Sequence, residues 1–415
     1  MTPRAARWLP RLVSALVADL LDDARRVADD VVALRRRIHT HPELGLDLPR
    51  TQEAVLEALD GLGLDVRTGS ALSSVVADLR GDHDGPTVLL RADMDALPMP
   101  EDTGLDFAST VDGAMHACGH DAHTAMLAGA ARVLAARRRD ICGTIRFAFQ
   151  PGEEGFAGAR LMVEEGMLDE PHVDAAFALH VSPNLPAGSL WTRPGALLAS
   201  ADVVRIDVTG KGGHASTPFL ANDPMPVAAE IVQALQVFAT RRINTFDPVV
   251  ITITKMRAGT TNNVIPERVR MEGTLRAVSE AARAAAHAGI ERVTSGIAAA
   301  HEMTAHVEIT PGYPVTVNDA DAAAFVLRVA GDLLGRHHQG TMPAPVMGAE
   351  DFSYVLRERP GALAFLGVSP PGVPPARAHS CHSNRMVLDE DALDAGVAVN
   401  CALALRFLDA GGALA

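Results

Sequence analysis

Thr87-Val-Leu-Leu-Arg-Ala-Asp-Met-Asp-Ala-Leu-Pro98 starts as a β-rich apolar run and finishes on two acids spaced two residues apart. Side chains at i and i+2 of a strand point the same way, so Asp93 and Asp95 leave the end of this strand on one side. The layout recurs downstream. Thr144 to Phe149 leads into Gln150-Pro-Gly-Glu-Glu-Gly155, and Ala175 to Leu179 leads into His180. Open α/β sheets gather their functional groups at the carboxyl ends of strands, so three endings that carry acids or histidine point to one shared site. Another β-rich run, Ser74 to Leu79, and helical periodicity over Leu20 to Ile38, Gln52 to Leu62 and His123 to Ala136 complete the alternation. The expected fold is an α/β domain with a central sheet flanked by helices.

From about Ala201 the texture changes. Val203 to Val208, Val249 to Thr254 and Val269 to Leu275 read as strands, and Pro226 to Thr240 and Ala281 to Ala300 as helices. This is an α+β unit of its own. After Pro311-Gly-Tyr-Pro314 longer elements return, a helix over Ala320 to Leu334 and a last one over Asp389 to Leu408. Residues 1–199 and 313–415 are therefore expected to form the two parts of one α/β domain, with 200–312 inserted between them.

A chain of 415 residues with 48% hydrophobic content can build a core in each of two domains. Its four cysteines, Cys118, Cys142, Cys381 and Cys401, are too sparse for a disulfide scaffold and fit a reducing, cytoplasmic setting. The net charge of −14 disfavours nucleic acid and anionic membrane surfaces as partners. Pro10, Arg11 and Asp19 interrupt Met1 to Leu20, which reads as no signal peptide, and no other apolar stretch is expected to span a bilayer.

Met115-His-Ala-Cys-Gly-His-Asp-Ala-His-Thr124 packs one thiol and three imidazoles into ten residues. Thiolate and neutral imidazole are ligands for borderline-soft divalent metals, and a cluster this dense is costly to bury without an ion. Adding Asp93 and Asp95, Glu153-Glu154, His180, and His379 or His382 supplies ligand types for two adjacent ions and one spare carboxylate. Taken singly, the Glu-Glu pair is an ordinary solvated turn, and Asp93 is equally a helix cap or a salt-bridge partner of Arg91.

Together with His39-Thr-His-Pro-Glu43-Leu-Gly and Asp389-Glu-Asp-Ala-Leu393, these motifs resemble the di-metal amidohydrolases of the aminoacylase clan. The branch is that of the hippurate hydrolases and indole-acetyl-amino-acid hydrolases. The resemblance implies five metal ligands, Cys118, His120, Glu154, His180 and His382; His382 is selected over His379 because it stands seven residues before Asp389. The chain has His382-Ser-Asn384 where relatives have His-Ser-Pro, and Cys381 beside it reads as a small core residue or a stray thiol. Glu153 is implied as the general base and acid, Asp95 as the group that orients a metal histidine, and Asp93 as a second-tier candidate. In the insert, Gly210-Lys-Gly-Gly-His214, Asn262-Asn263-Val-Ile-Pro266 and Gly273-Thr-Leu-Arg276 match the family's lid segments. His214 would stabilise the oxyanion, and Asn263 and Arg276 would hold the substrate carboxylate.

The implied protein is a metal-dependent N-acyl amino acid hydrolase, dimeric through its inserted lid/dimerisation domain. It would carry two divalent ions per subunit, zinc or manganese, with cobalt and nickel accepted by the same donors. The rival expectations are a dipeptidase-like peptide hydrolase and a catalytically inactive relative that binds metal or ligand. The pocket walls are expected in loops at Met347 to Phe352 and Leu366 to Pro375.

Overall fold

A computed structural model describes residues 19–414, so the signal-peptide reading of Met1 to Leu20 lies outside the described residues up to position 18. The chain divides into two compact units. The larger comprises Met1–Gly195, Val317–Pro343 and Tyr354–Ala415, and the smaller Ala196–Thr316 and Ala344–Ser353. The sequence alone places the short segment Ala344–Ser353 in the α/β domain. It groups instead with the smaller unit because the Ala199 N–H donates to the carbonyls of Val346 and Gly348, at 3.0 and 2.9 Å.

In the larger unit the strands are β1 (Asp65–Thr68), β2 (Val75–Arg80), β3 (His83–Asp93), β4 (Cys142–Gln150), β5 (Ala175–Ser182) and β6 (Leu190–Thr192). The smaller unit contributes β7 (Asp202–Thr209), β8 (Gly213–His214), β9 (Val249–Arg257), β10 (Val264–Ile265), β11 (Arg268–Ala277) and β12 (Thr304–Pro311). Strands β13 (Gln339–Thr341) and β14 (Gly361–Gly367) return to the larger unit.

The large sheet runs β1-β2-β4-β3-β5-β14-β6-β13. Its centre, β4-β3-β5-β14, is parallel. This explains why Val88, Leu89 and Leu90 are all fully buried, since both faces of a parallel sheet are covered. Strand order reverses around β3, with β4 on one side and β5 on the other, and all three end on the same edge. Asp93, Glu153-Glu154 and His180 thus converge, as topological switch points require.

The flanking helices are α1 (Ala28–Thr40), α2 (Pro49–Leu59), α3 (His120–Ala136), α4 (Gly158–Glu164), α7 (Ala320–Leu333) and α8 (Leu393–Asp409). Helix α3 is buried almost all round, which its alanine-rich, nearly charge-free sequence permits. A buried ion network ties its first turn down. Asp121 lies 2.8 Å from His39 Nδ1 and 3.1 Å from Arg35 Nε, while His39 Nε2 lies 3.2 Å from Glu101. Burial works against a charged His39 ring, yet Asp121 and Glu101 hold its pKa up to about 9. The His39-Thr-His-Pro-Glu43 motif also stabilises the next helix, because the Glu43 carboxylate accepts from the Arg50 and Thr51 amides in the first turn of α2.

Leu366–Pro375 is not wholly a loop. Leu366 and Gly367 finish β14, where the unbroken run Gly-Ala-Leu-Ala-Phe-Leu-Gly is buried throughout between β5 and β6. The last helix starts at Leu393, later than Asp389, because residues Glu390–Ala392 form a 3-10 turn capped by the Asp389 side chain.

The smaller unit is an antiparallel sheet, β9-β11-β7-β12, with helices α5 (Pro224–Arg241) and α6 (Glu280–Ala300). Strand β7 alternates buried and exposed residues, sending Val204, Ile206 and Val208 into a core with Ile231, Leu235 and Ile290. Asp223 and Ser279 cap the two helices through the amides of Met225 and Ala282. Among the described residues no helix is long and apolar enough to cross a membrane.

Candidate metal centre

The chain turns from Cys118 into α3 through Gly119, whose φ of +84° is left-handed. A Cβ there would sit 2.4 Å from Val181 Cγ2, so both the dihedral and the close approach demand glycine. That approach sets Cys118 against the end of β5, with its Sγ 3.4 Å from His180 Nε2. His382 arrives from the other side. Its backbone N–H donates to the Ala117 carbonyl at 2.8 Å, and its own φ of +68° is a strained value for a non-glycine residue. His382 Nε2 is 3.2 Å from Glu154 Oε1.

The donor atoms fall into two triads that share the thiol. Cys118, His120 and His180 bring their atoms within 4.8 Å of one another, and so do Cys118, Glu154 and His382. All five predicted ligands thus meet at one place in the larger unit, whereas His379 is exposed and joins no such group among the described residues. His120 Nδ1 donates to the Asp95 carbonyl at 2.8 Å, which leaves Nε2 buried without a hydrogen bond. An unmet buried polar atom costs about 1–3 kcal/mol, so this nitrogen, with its lone pair free, awaits a donor or a metal. A thiol, three imidazoles and a carboxylate suit two divalent cations. Without a cation the site holds the Cys118 thiol well above its usual range, through its hydrogen bond with Cys381, burial, and the Glu154 and Glu153 charges. Burial and the neighbouring His123 ring push the His180 pKa down to about 3, which keeps its ring neutral and able to ligate.

Asp95 orients His120, but through its main-chain carbonyl; the carboxylate oxygen is 3.6 Å from His120 Nδ1. The carboxylate has another use. Its two oxygens accept the Glu153 and Glu154 amides, each at 2.9 Å, and so fix the turn that carries both glutamates. Glu153 is buried, and its carboxylate lies within 4.8 Å of donor atoms of His120 and Glu154. Asp93 is a salt-bridge partner of Arg91 at 2.8 Å and also contacts His123. Cys381 Sγ lies 3.8 Å from the carbonyls of Cys118 and Val181. His116 stays apart from the cluster, a buried ring with its pKa pushed down to about 3 by desolvation.

His214, Asn263 and Arg276 belong to the smaller unit. His214 is exposed on β8, and its Nδ1 accepts from the Ser216 amide at 3.1 Å. Asn263 is its neighbour, since the Ala215 N–H donates to the Asn263 carbonyl. Arg276 lies on β11 opposite Val250, half-buried and without an ion pair or hydrogen bond among the described residues. Sequence reasoning gives no role to His123. The available signal is its i+3 spacing from His120, which sets both rings on one face of α3.

Comparison with known proteins agrees with this chemistry. The family model for peptidase family M20/M25/M40 matches residues 89–406. Thermostable carboxypeptidase 1 of Saccharolobus solfataricus is 38% identical over 94% of this chain and 99% of its own length. The IAA-amino acid hydrolase ILR1-like 2 of Arabidopsis thaliana is 38% identical over 97% of this chain and 91% of its own. Among solved structures, the Bacillus subtilis YXEP protein, described as a dinuclear metal binding peptidase, superposes with a TM-score of 0.80 at 35% identity, covering 93% of this chain and 99% of that one. With its paired triads around Cys118 and a family match spanning most of its length, the chain belongs to peptidase family M20/M25/M40.

Proposed function

We propose that the protein is a metal-dependent amidohydrolase that cleaves the amide bond of an N-acyl amino acid into a carboxylic acid and a free amino acid. The observation that carries this reading is the pair of donor triads sharing Cys118, with the buried Glu153 beside them. Cys118, His120, Glu154, His180 and His382 would hold two divalent ions, zinc or manganese, with cobalt or nickel fitting the same donors. When bound, the metals polarise the amide carbonyl and make water acidic enough to deprotonate at neutral pH. Glu153 takes the proton of the attacking water and returns it to the departing amine. Asp95 keeps Glu153 in place by gripping its amide.

His214 donates to the oxyanion, and Asn263 and Arg276 recognise the carboxylate of the leaving amino acid. A half-buried guanidinium that makes no hydrogen bond or ion pair among the described residues supports that role, because its planar fork matches a carboxylate. The relatives' names favour an amino acid on the leaving side: an IAA-amino acid hydrolase and a carboxypeptidase both release one. The carboxypeptidase relative also favours a second reading, a dipeptidase-like activity.

The test is an assay of metal-reconstituted protein on N-acyl amino acids, their carboxamides and dipeptides, with and without chelator. Turnover of the acyl amino acids, abolished by chelation, is expected; turnover of dipeptides alone selects the second reading, and turnover of none refuses both. In Arg276→Lys the preference in kcat/KM for the free carboxylate over the carboxamide is expected to fall roughly 10-fold to 100-fold, the worth of a charged hydrogen bond of about 1.5–3 kcal/mol. An unchanged preference removes Arg276 from the binding role.

A homodimer formed through the smaller unit fits its surface, where the consecutive Phe219 and Leu220 are 80% and 62% exposed. Large apolar side chains left in water at one place mark an association surface. Light scattering is expected to give a dimeric mass, shifted to monomer by Phe219→Glu with Leu220→Glu; a monomeric wild type refuses this part. Four free thiols support a cytoplasmic setting.

A further inference from the structure

His123 is buried on α3, and both of its ring nitrogens are engaged. Nε2 accepts the Val181 N–H at 2.7 Å, so the ring proton sits on Nδ1, which donates to Asp93 Oδ1 at 2.5 Å. Asp93 is itself anchored. Its Oδ2 accepts from Arg91 at 2.8 Å, and its main-chain carbonyl accepts from Thr124 at 2.8 Å. On the far side, the Val181 carbonyl accepts Nδ1–H of His180 at 2.7 Å, which leaves His180 Nε2 bare and turned to Cys118. The His123 and His180 rings also pack edge to face, with centroids 4.7 Å apart.

We propose that His123 is a positioning residue: clamped by Asp93, it holds the main chain of Val181 and thereby fixes the ring orientation and tautomer of His180. Outer hydrogen bonds of this kind set which nitrogen of a ligand histidine is presented to a metal. Asp93, His120 and His123 also lie within 4.8 Å of one another, which by distance alone would suit a third cation. The hydrogen bonds argue otherwise, because ligation through Nε2 would orphan the Val181 amide, and ligation through Nδ1 would require the ring to give up the proton it donates to Asp93. The same bonds account for Asp93 as an anchor, with both carboxylate oxygens already used.

The inference rests on His180 being a ligand, and the experiment separates the two. Cobalt affinity is measured by chelator competition for wild type, His180→Ala, His123→Ala and His123→Gln. Both alanine variants are expected to bind at least one cobalt about 10-fold to 100-fold more weakly. Glutamine, which can accept from Val181 and donate to Asp93, is expected to recover part of the loss. A His180→Ala protein that binds cobalt like wild type refutes the ligand reading and the proposal with it. Weak binding by His180→Ala beside affinity within about twofold of wild type in His123→Ala overturns the proposal alone. Nitrogen NMR of zinc-loaded wild type needs no variant to fold. A protonated Nδ1 and a bare Nε2 on His123 are expected, and the opposite tautomer overturns the clamp.

Discussion

Glu153→Gln is expected to abolish turnover and to leave metal content near that of the wild type. The amide keeps the shape of the side chain and the main-chain grip of Asp95 on the Glu153 amide, so the turn after β4 survives the exchange. What it loses is basicity. Removing a general base costs about 10²–10⁴ in rate, and more when the same group must also protonate the leaving amine. The Glu153 carboxylate does lie within 4.8 Å of donor atoms of His120 and Glu154, close enough to share an ion with them, which makes the metal measurement decisive. Elemental analysis run beside the kinetics separates the roles. If metal and activity fall together, Glu153 joins the ligand set and the base has to be sought elsewhere.

Much of this centre is legible in the sequence because its chemistry sits at strand ends. An apolar run that stops on acids or histidine announces both a buried strand and the edge at which it ends, and Asp93, Glu153-Glu154 and His180 each follow such a run. The five ligand types can be ordered by motif, and the structure gathers Cys118, His120, Glu154, His180 and His382 around one thiol. What escapes depends on contacts between segments far apart in the chain. Nothing in the local sequence says that Asp95 would use its carbonyl for His120 and its carboxylate for two glutamate amides. The role of His123 depends on the register of β5, which turns the Val181 N–H toward the ring. Strand β14 escapes for the opposite reason: Gly361 to Gly367 is so uniformly apolar that it carries no alternation, and its end reads as loop from Leu366 onward. Strand β1 is exposed along its whole length and gives no burial pattern to read.

Cys118→Ala is expected to empty both metal positions together. Cys118 is the one donor common to the two triads, so its loss reaches His120 and His180 on one side and Glu154 and His382 on the other. Even an outer hydrogen-bond partner of a ligand is worth about 10-fold to 100-fold in metal affinity, and deletion of a shared thiolate should cost at least that much. The neighbouring Cys381, whose Sγ lies 3.8 Å from the Cys118 carbonyl, supplies the control, because a second thiol this close could ligate in its place. Cobalt tells them apart, since a bound thiolate gives a ligand-to-metal charge-transfer band that imidazole and carboxylate do not. The band should vanish in Cys118→Ala and persist in Cys381→Ala. If it follows Cys381 instead, the sulfur ligand comes from the segment that carries His382, and the shared corner of the two triads has to be redrawn around that thiol.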